Sequence, residues 1–144
     1  MSTLRRTVFD TGTLVSAALR VGSIPHRALS HAFSAGEVCV SATTLVELEA
    51  VLLRDKFDRY QPVQIRQEFL AVLRQRGVLV QVSAADEVSV QPPCRDPMDH
   101  PFLALVQRCN ADVLISSDGD LLVLHPWQGI PILTPAAFLE QVSA

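Results

Sequence analysis

Two short apolar segments of this chain are each followed by an aspartate. Two further aspartates lie close together beside a third apolar segment. Asp10 ends the run in VFDTGT, Asp118 comes after ADVLISS, and CRDPMDHPF contains Asp96 and Asp99. The chain has no Cys-x-x-Cys pair that would point to a softer metal such as zinc. Carboxylate oxygens favour a hard divalent cation, Mg²⁺ or Mn²⁺, and such ions act together with phosphate oxygens. The chemistry indicated is hydrolysis of a phosphodiester.

Asp10 could instead serve in one of three different roles. Asp-Thr-Gly-Thr occurs in aspartic proteases, but those enzymes are all-β, whereas LVSAALR after the motif has the pattern of a helix. A phosphatase of the haloacid dehalogenase type needs a second aspartate where this chain has Gly12. It also needs a loop lysine, and the only lysine, Lys56, lies at a predicted helix end. The third role, in which Asp10 only caps the following helix, stays open for this residue taken alone.

The segment around Asp96 and Asp99 is bounded by prolines. Asp96 precedes Pro97, which biases it towards extended backbone, and Pro101 suits the first turn of a helix. Asp99 therefore falls at the helix start, over the buried apolar stripe and not the solvated face. Capping of that helix is the alternative role of Asp99, since a helix N-terminus stabilises a carboxylate.

Two glutamates lie in TTLVELEAVL, a predicted helix that is apolar almost all round. Glu47 or Glu49 is the candidate for a fourth carboxylate of the same site. Periodicity does not choose between them, and for either one alone a solvated surface position is the simpler interpretation. His100, next to the aspartate pair, is interpreted as a neighbour of the site and not as a ligand.

Apolar periodicity and turn residues divide the chain into alternating strands and helices. The predicted strands are LRRTVF, EVCVS, VLVQV, ADVLISS and IPIL. The predicted helices are TLVSAALR, PHRALSHAFSAG, SATTLVELEAVLLRDKF, PVQIRQEFLAVLRQRG, HPFLALVQRC and TPAAFLEQV, with a helical turn in GDLLVL. This order predicts an α/β fold, a three-layer α/β/α sandwich with a central, mostly parallel sheet, formed by a single domain over residues 1–144. Asp10 and Asp118 are then expected to end neighbouring strands, because sites in such sheets form at the carboxyl ends of strands.

Two segments of the chain carry more detailed predictions. The helix over residues 62–77 is predicted to bury Ile65, Phe69, Val72 and Leu73 on one face and to end at Gly77. SAADEVSVQPPC is predicted to be a loop because of its proline pair.

The composition is that of a globular chain. It has 144 residues, of which 49% are hydrophobic, and its formal net charge is −3. No apolar run approaches the roughly 18 residues of a membrane span, and MSTLRR leads directly into the first strand, so a cytoplasmic protein without a membrane segment is expected. The net charge does not by itself indicate nucleic-acid binding, although arginines cluster within 54–59 and 66–76. Cys39 and Cys109 lie in apolar segments and are expected to be buried free thiols.

Together these segments resemble the PIN domain, most closely the VapC-like toxins of bacterial toxin–antitoxin systems. VFDTGTLVSAALR resembles the first strand and helix of that family, SATTLVELEAVLLRDKF its glutamate-bearing helix, and IPILTPAAFLE its closing segment. The most specific segment is CRDPMDHPFLALVQRCNADVLISSDGDLL, which has Arg-Asp-Pro, a further aspartate, and a strand ending in Ser/Thr-x-Asp-x-Asp-Leu. The resemblance runs over nearly the whole chain.

The resemblance implies an endoribonuclease whose carboxylates hold Mg²⁺ or Mn²⁺. The catalytic positions of the family fall on Asp10, Glu47, Asp99 and Asp118. The resemblance therefore selects Glu47 over Glu49, a choice that periodicity leaves open. It also implies RNA as the substrate, a small antitoxin protein as the partner, and a homodimer.

Further positions of the family surround these four. Asp96 is implied as an additional metal ligand, and Ser116 and Asp120 as supporting residues. Two positions depart from the family pattern: Gly12 stands where relatives have asparagine, and His100 where they often have an acidic residue or asparagine. Gly12 and the acidic net charge favour an alternative hypothesis, a catalytically weakened PIN module that binds RNA or a protein partner.

Overall fold

A computed structural model describes residues 5–143 of the protein. The strands are β1 (Arg5–Phe9), β2 (Gly36–Val40), β3 (Val78–Leu79), β4 (Val113–Ile115) and β5 (Ile132–Leu133). The helices are α1 (Thr11–Leu19), α2 (Ile24–Ala35), α3 (Ala42–Leu52), α4 (Val63–Arg76), α5 (Ala84–Val88), α6 (His100–Cys109), α7 (Gly119–Leu122) and α8 (Pro135–Ser143). Short 3-10 helices cover Asp55–Phe57 and Pro97–Asp99. Within the described residues, no helix combines the length and the apolar character needed to cross a membrane.

The five strands form one sheet, in the order β3-β2-β1-β4-β5, and all the neighbouring strands in it run parallel. The central strand β1 ends at Phe9, which lies opposite Ile115, the last residue of β4. The residues that follow β1 and β4 therefore share one edge of the sheet. With helices on both faces, the predicted three-layer α/β fold is confirmed.

Successive residues of the central strands point to opposite faces of the sheet and so build two cores. Val8 and Leu114 pack with α6 and α7, and α5 packs against α6. Phe9 and Ile115 pack on the other side, in the core formed with α1–α4 and α8. Burial on both faces explains why these strands are apolar runs and do not alternate between apolar and polar residues.

Polar side chains at strand ends start two of the helices. Asp10, directly after β1, accepts a hydrogen bond from the Thr13 amide at 2.9 Å, and Ser41, directly after β2, accepts one from the Thr44 amide at 3.2 Å. Such N-caps satisfy amides that have no partner within the helix. As a result, α1 and α3 both begin at the carboxyl edge of the sheet.

The buried side of α4 differs from the predicted one. Ile65 and Val72 are 41% and 44% exposed, whereas the residues that the helix buries are Arg66, Leu70 and Leu73. The prediction was wrong for Ile65 and Val72, because α4 buries Arg66 in their place. Burial of Arg66 turns the contacting face of the helix away from them.

Two segment boundaries also differ from the prediction. The helix predicted to run to residue 57 ends at Leu52, and a 3-10 helix follows. The segment predicted as a loop contains α5, in which Ser83 and Asp86 each accept a hydrogen bond from the other's amide, at 3.0 and 2.9 Å. This capping box stabilises a short helix that ends at Val88, ahead of the proline pair.

The three cysteines are free and buried. Cys39 and Cys109 lie in the core on the α6 side of the sheet, which confirms the expectation of buried thiols. Cys94 lies in the loop between α5 and α6, where it contacts the candidate site.

Candidate active site

The carboxyl ends of β1 and β4 open onto a cleft of about 480 Å³. The acidic residues that line it are Asp10, Glu47, Asp96, Asp99 and Asp118. They come from four places in the chain: the end of β1, the helix α3, the segment that leads into α6, and the turn after β4. Parallel strands with helices between them bring these segments to one edge of the sheet, where sites of such folds form.

Asp10 is only 5% exposed, and both of its carboxylate oxygens have partners. Oδ1 accepts a hydrogen bond from the Thr13 amide at 2.9 Å, and Oδ2 accepts one from the Ser116 hydroxyl at 2.5 Å. Burial raises the pKa of Asp10 above its usual value in spite of these hydrogen bonds, and the charge of Asp118 adds to the rise. Asp10 therefore caps α1 and lines the cleft at the same time, so capping does not exclude a role in the cleft.

Ser116 connects the two aspartates that follow the strands. Its buried hydroxyl donates to Asp10 and accepts a hydrogen bond from the Asp118 amide at 2.9 Å. Asp118 in turn caps α7, since its Oδ1 accepts a hydrogen bond from the Asp120 amide at 2.9 Å. The serine thus fixes the position of Asp10 relative to Asp118.

Asp99 has a strongly raised pKa. Its pKa rises from 3.8 to about 7, first because of burial, then because of the hydrogen bond with Asp118 and the charges of Asp118, Asp96 and Asp10. Within residues 5–143, none of the salt bridges of the protein involves these four aspartates. Carboxylates that share a site without a cation raise one another's pKa in this way.

Asp99 also belongs to a tight group with two neighbours. Asp96, Asp99 and Asp120 each place one carboxylate oxygen within 4.8 Å of the other two. Asp96 additionally accepts a hydrogen bond from the Met98 amide at 3.0 Å and so caps the 3-10 helix before α6. Asp120, interpreted from the sequence only as a supporting residue, therefore lies where it can share an ion with Asp96 and Asp99.

Glu47 reaches the cleft from α3, and its Oε2 accepts a hydrogen bond from the Thr11 hydroxyl. Glu49 is exposed and pairs instead with Arg74, at 2.6 Å. The structure thus separates two glutamates that periodicity left equivalent. Sequence reasoning missed Thr11, although its position directly after Asp10, in the first turn of α1, was an available signal.

The two positions that depart from the family pattern have different surroundings. Gly12 lines the cleft in the first turn of α1, and a Cβ built there meets no atom within 4 Å. The helix therefore has room for an asparagine at this position. His100 uses its Nε2 to accept a hydrogen bond from the Cys94 amide at 3.1 Å, so that this ring nitrogen braces the preceding loop.

Cys94 is a second residue that sequence reasoning missed. Its Sγ lies 3.7 Å from the Asp99 carboxylate and 3.4 Å from the Asp120 carbonyl oxygen. Burial raises the pKa of this thiol, which therefore remains a neutral donor to both. No local pattern indicated this contact, because the course of the loop after α5 decides where Cys94 lies.

The donor atoms that the cleft offers fit a hard divalent cation. They are carboxylate oxygens from Asp10, Glu47, Asp96, Asp99 and Asp118, the ligand type that Mg²⁺ and Mn²⁺ prefer. Among the described residues, none of those that line the cleft carries a positive side chain, and burial together with the neighbouring carboxylates raises the pKa of Asp10 and of Asp99. A bound cation would supply positive charge and favour the ionised carboxylates.

Known proteins resemble this chain in sequence pattern and in fold. The family model of the PIN domain matches residues 6–120. No curated protein matches the sequence. Among solved structures, Mycobacterium tuberculosis VapC20, described as a sarcin–ricin loop cleaving toxin, superposes with a TM-score of 0.57 at 16% identity, over 83% of this chain and 95% of its own. PAE2754 from Pyrobaculum aerophilum superposes with a TM-score of 0.60 at 11% identity, over 97% of this chain and 91% of its own. At these identities the two likenesses concern the fold.

Proposed function

This chain belongs to the PIN domain family, and we propose that it is a metal-dependent endoribonuclease, the toxin component of a toxin–antitoxin system. The observation that carries the proposal is the single cleft lined by Asp10, Glu47, Asp99 and Asp118. The likeness to VapC20, which is named as a toxin that cleaves the sarcin–ricin loop, supports RNA as the class of substrate.

In the proposed reaction, Asp10, Asp99 and Asp118 hold the ion at the carboxyl ends of β1 and β4, with Asp96 as a further ligand. When bound, Mg²⁺ or Mn²⁺ lowers the pKa of water and stabilises negative charge on the phosphate. Ser116 maintains the spacing of Asp10 and Asp118 through its two hydrogen bonds.

Glu47 orients the attacking water and accepts its proton. Thr11 engages Oε2 of this glutamate, which leaves Oε1 to act as the base. The water oxygen forms a bond to phosphorus as one bridging P–O ester bond breaks, and the departing oxygen takes a proton from solvent. The proton on Glu47 then returns to solvent, which restores the carboxylate.

Cleavage of a labelled single-stranded RNA in a Mn²⁺ titration tests the proposal. Glu47→Gln should lower the cleavage rate by roughly 100-fold or more, since an amide cannot accept the proton. Glu49→Gln is the matched control, because it makes the same change in α3 outside the cleft and should cleave as the wild type does. An equal loss in both variants, or a wild-type protein without metal-dependent cleavage, would contradict the proposal.

The proposed biological role is tested separately. Induced expression in a bacterial host should arrest growth, and expression of Glu47→Gln should not. Co-expression of a small protein encoded beside the gene should restore growth if that protein is the proposed antitoxin. A homodimer is the proposed assembly, and sedimentation analysis of the purified chain would show its mass.

A second candidate function is a catalytically weakened PIN module that binds RNA or a protein partner. The observation that favours it is Gly12, which leaves open space in the first turn of α1 where relatives carry an asparagine. Tight RNA binding by a wild-type protein that does not cleave in Mg²⁺ or Mn²⁺ would favour this function over the first.

A further inference from the structure

A second cavity, of about 420 Å³, adjoins the acidic cleft. Ser16 lines both spaces, so the two lie next to each other. The other residues that line the second cavity include Arg20 at the end of α1 and the two aromatic residues Phe57 and Tyr60. Its volume lies within the range of roughly 300–1,000 Å³ that is usual for small-ligand sites.

The second cavity is lined by two aromatic rings and one arginine, in contrast to the acidic cleft, and two further cations lie over those rings. Tyr60 is 48% exposed, and the Arg59 guanidinium lies over its ring, 5.3 Å from the centroid. The Lys56 ammonium lies 5.1 Å from the centroid of the Phe57 ring. Arg20 takes part in none of the salt bridges found within residues 5–143, so its charge is available to a ligand.

A fully buried arginine fixes the segment that carries the two rings. Arg66 is 0% exposed and donates hydrogen bonds to the carbonyl oxygens of Leu52, Arg54 and Gln61, at 2.9, 3.3 and 3.0 Å. It also pairs with Asp58. These bonds hold both ends of the segment from residue 54 to residue 61. The half-exposed tyrosine is therefore presented by a constrained backbone and not by a free loop.

We infer that this cavity binds a nucleotide of the RNA substrate beside the phosphate that is cleaved, with its base stacked on Tyr60 and its phosphate contacted by Arg20 and Arg59. The inference rests on the proposed ribonuclease function. An aromatic ring next to cations is the combination by which proteins hold single-stranded nucleic acid without reading its sequence. Because Ser16 lines both the cavity and the cleft, a nucleotide bound in the cavity would lie next to the carboxylates.

The charges around the cavity complement a phosphate backbone. The cations are Arg20 of the cavity wall and Arg54, Lys56 and Arg59 of the segment, and the carboxylates of the segment are Asp55 and Asp58. Asp58 already pairs with Arg66. The chain as a whole has a net charge of −3, and the cleft is acidic, so a polyanion needs a local basic surface to approach it. This segment supplies such a surface directly beside the site.

Binding of a short labelled single-stranded RNA to the whole chain in EDTA, where no cleavage takes place, tests the inference. Tyr60→Ala should weaken binding by about 5- to 100-fold, and Tyr60→Phe should retain wild-type affinity because the ring remains. Arg20→Ala should lower the slope of log affinity against log salt by about 0.7, the value for one phosphate contact with a single strand. Arg27→Ala is the matched control: this exposed arginine lines a different cavity, between α2 and α8, and should leave affinity and slope unchanged.

Cleavage assays in Mn²⁺ separate this inference from the proposed function. Tyr60→Ala should raise KM and leave kcat near the wild-type value, because it removes binding and not chemistry.

If the wild type cleaves RNA while Tyr60→Ala and Arg20→Ala bind RNA as the wild type does, the inference is wrong and the proposed function stands. If the wild type does not cleave but binds RNA through Tyr60 and Arg20, the subsite stands and the nuclease proposal fails. If RNA affinity is unchanged but a co-expressed antitoxin no longer copurifies with Tyr60→Ala, the cavity is a protein-docking site, which overturns the inference.

Discussion

Asp10 and Arg66 are both buried charged side chains, but their neighbours differ in kind. Arg66 is surrounded by complementary groups: it donates to three carbonyl oxygens and pairs with Asp58. Asp10 has hydrogen-bond donors too, yet it shares its cleft with other carboxylates, and burial with the charge of Asp118 raises its pKa. The chain itself supplies the acceptors and the negative charge that compensate Arg66, whereas no positively charged side chain within residues 5–143 compensates Asp10.

This difference distinguishes a buried charge that stabilises the fold from one that is suited to bind a ligand. Removing one partner of a satisfied buried charge leaves polar groups without partners and costs stability. Neutralising one member of a crowded set of like charges relieves repulsion and does not lower stability. What it lowers is ligand binding and the rate of the reaction. The two regions are therefore expected to respond to substitution in opposite ways.

The largest expected effect is on cleavage by Asp10→Asn. The rate of Mn²⁺-dependent RNA cleavage should fall on the order of 1,000-fold, because a ligand of the ion is lost. The free energy of unfolding of the metal-free protein should be unchanged or higher, since asparagine can still accept from the Thr13 amide and donate to Ser116 while its repulsion with Asp118 disappears. Cleavage assays and urea unfolding in EDTA measure the two effects. A fall of several kcal/mol in metal-free stability would instead make Asp10 a structural cap and weaken the metal hypothesis.

Arg66→Met should act in the opposite direction on stability. The carbonyl oxygens of Leu52, Arg54 and Gln61 lose their donor, and the free energy of unfolding should fall by about 3 kcal/mol. Arg74→Met is the matched control in the same helix, since Arg74 pairs with Glu49 in an exposed position, and its effect should stay below about 1 kcal/mol. Urea unfolding of both variants decides the matter. Equal effects would show that the buried arginine does not hold the 54–61 segment.

Gly12→Asn should raise the cleavage rate on the order of tenfold. The added side chain has room in the first turn of α1 and can hydrogen-bond to a carboxylate of the cleft. Gly22→Asn is a control at another glycine with open surroundings; its φ of +84° is one that asparagine tolerates better than most residues, and the variant should leave the rate unchanged. If both variants cleave RNA at the wild-type rate with the same metal affinity, Gly12 is a neutral difference from the family pattern.

The smallest expected effect is on the pH dependence of stability. The pKa of Asp99 is about 7 in the folded protein, against 3.8 for a free carboxyl, so folding favours its protonated form. The contribution of Asp99 to stability is therefore fully present below pH 4 and is lost as the pH rises through 7. In EDTA, the difference in melting temperature between Asp99→Asn and the wild type should grow in favour of the variant between pH 5 and pH 8. A constant difference over this interval would show that Asp99 does not titrate there.

The order of elements was predictable because each is encoded within a few neighbouring residues. Apolar runs followed by a polar capping residue, as at Asp10, predict where a strand ends and a helix begins. The structure confirms the parallel sheet and its helices on both faces. The prediction failed where a single residue departs from its usual environment, as Arg66 does in α4, or where a capping box such as that of Ser83 forms a short helix in a segment predicted to be a loop.

The sequence by itself determined which carboxylates come directly after strands or at helix starts, since that depends on local pattern alone. Only the tertiary structure decided which of them meet. It placed Glu47 in the cleft through Thr11, paired Glu49 with Arg74 outside it, and brought Asp120 to within 4.8 Å of Asp96 and Asp99. The physical reason is that these contacts join segments far apart in the chain, so the packing of helices on the sheet sets their distances, and no short-range periodicity contains them.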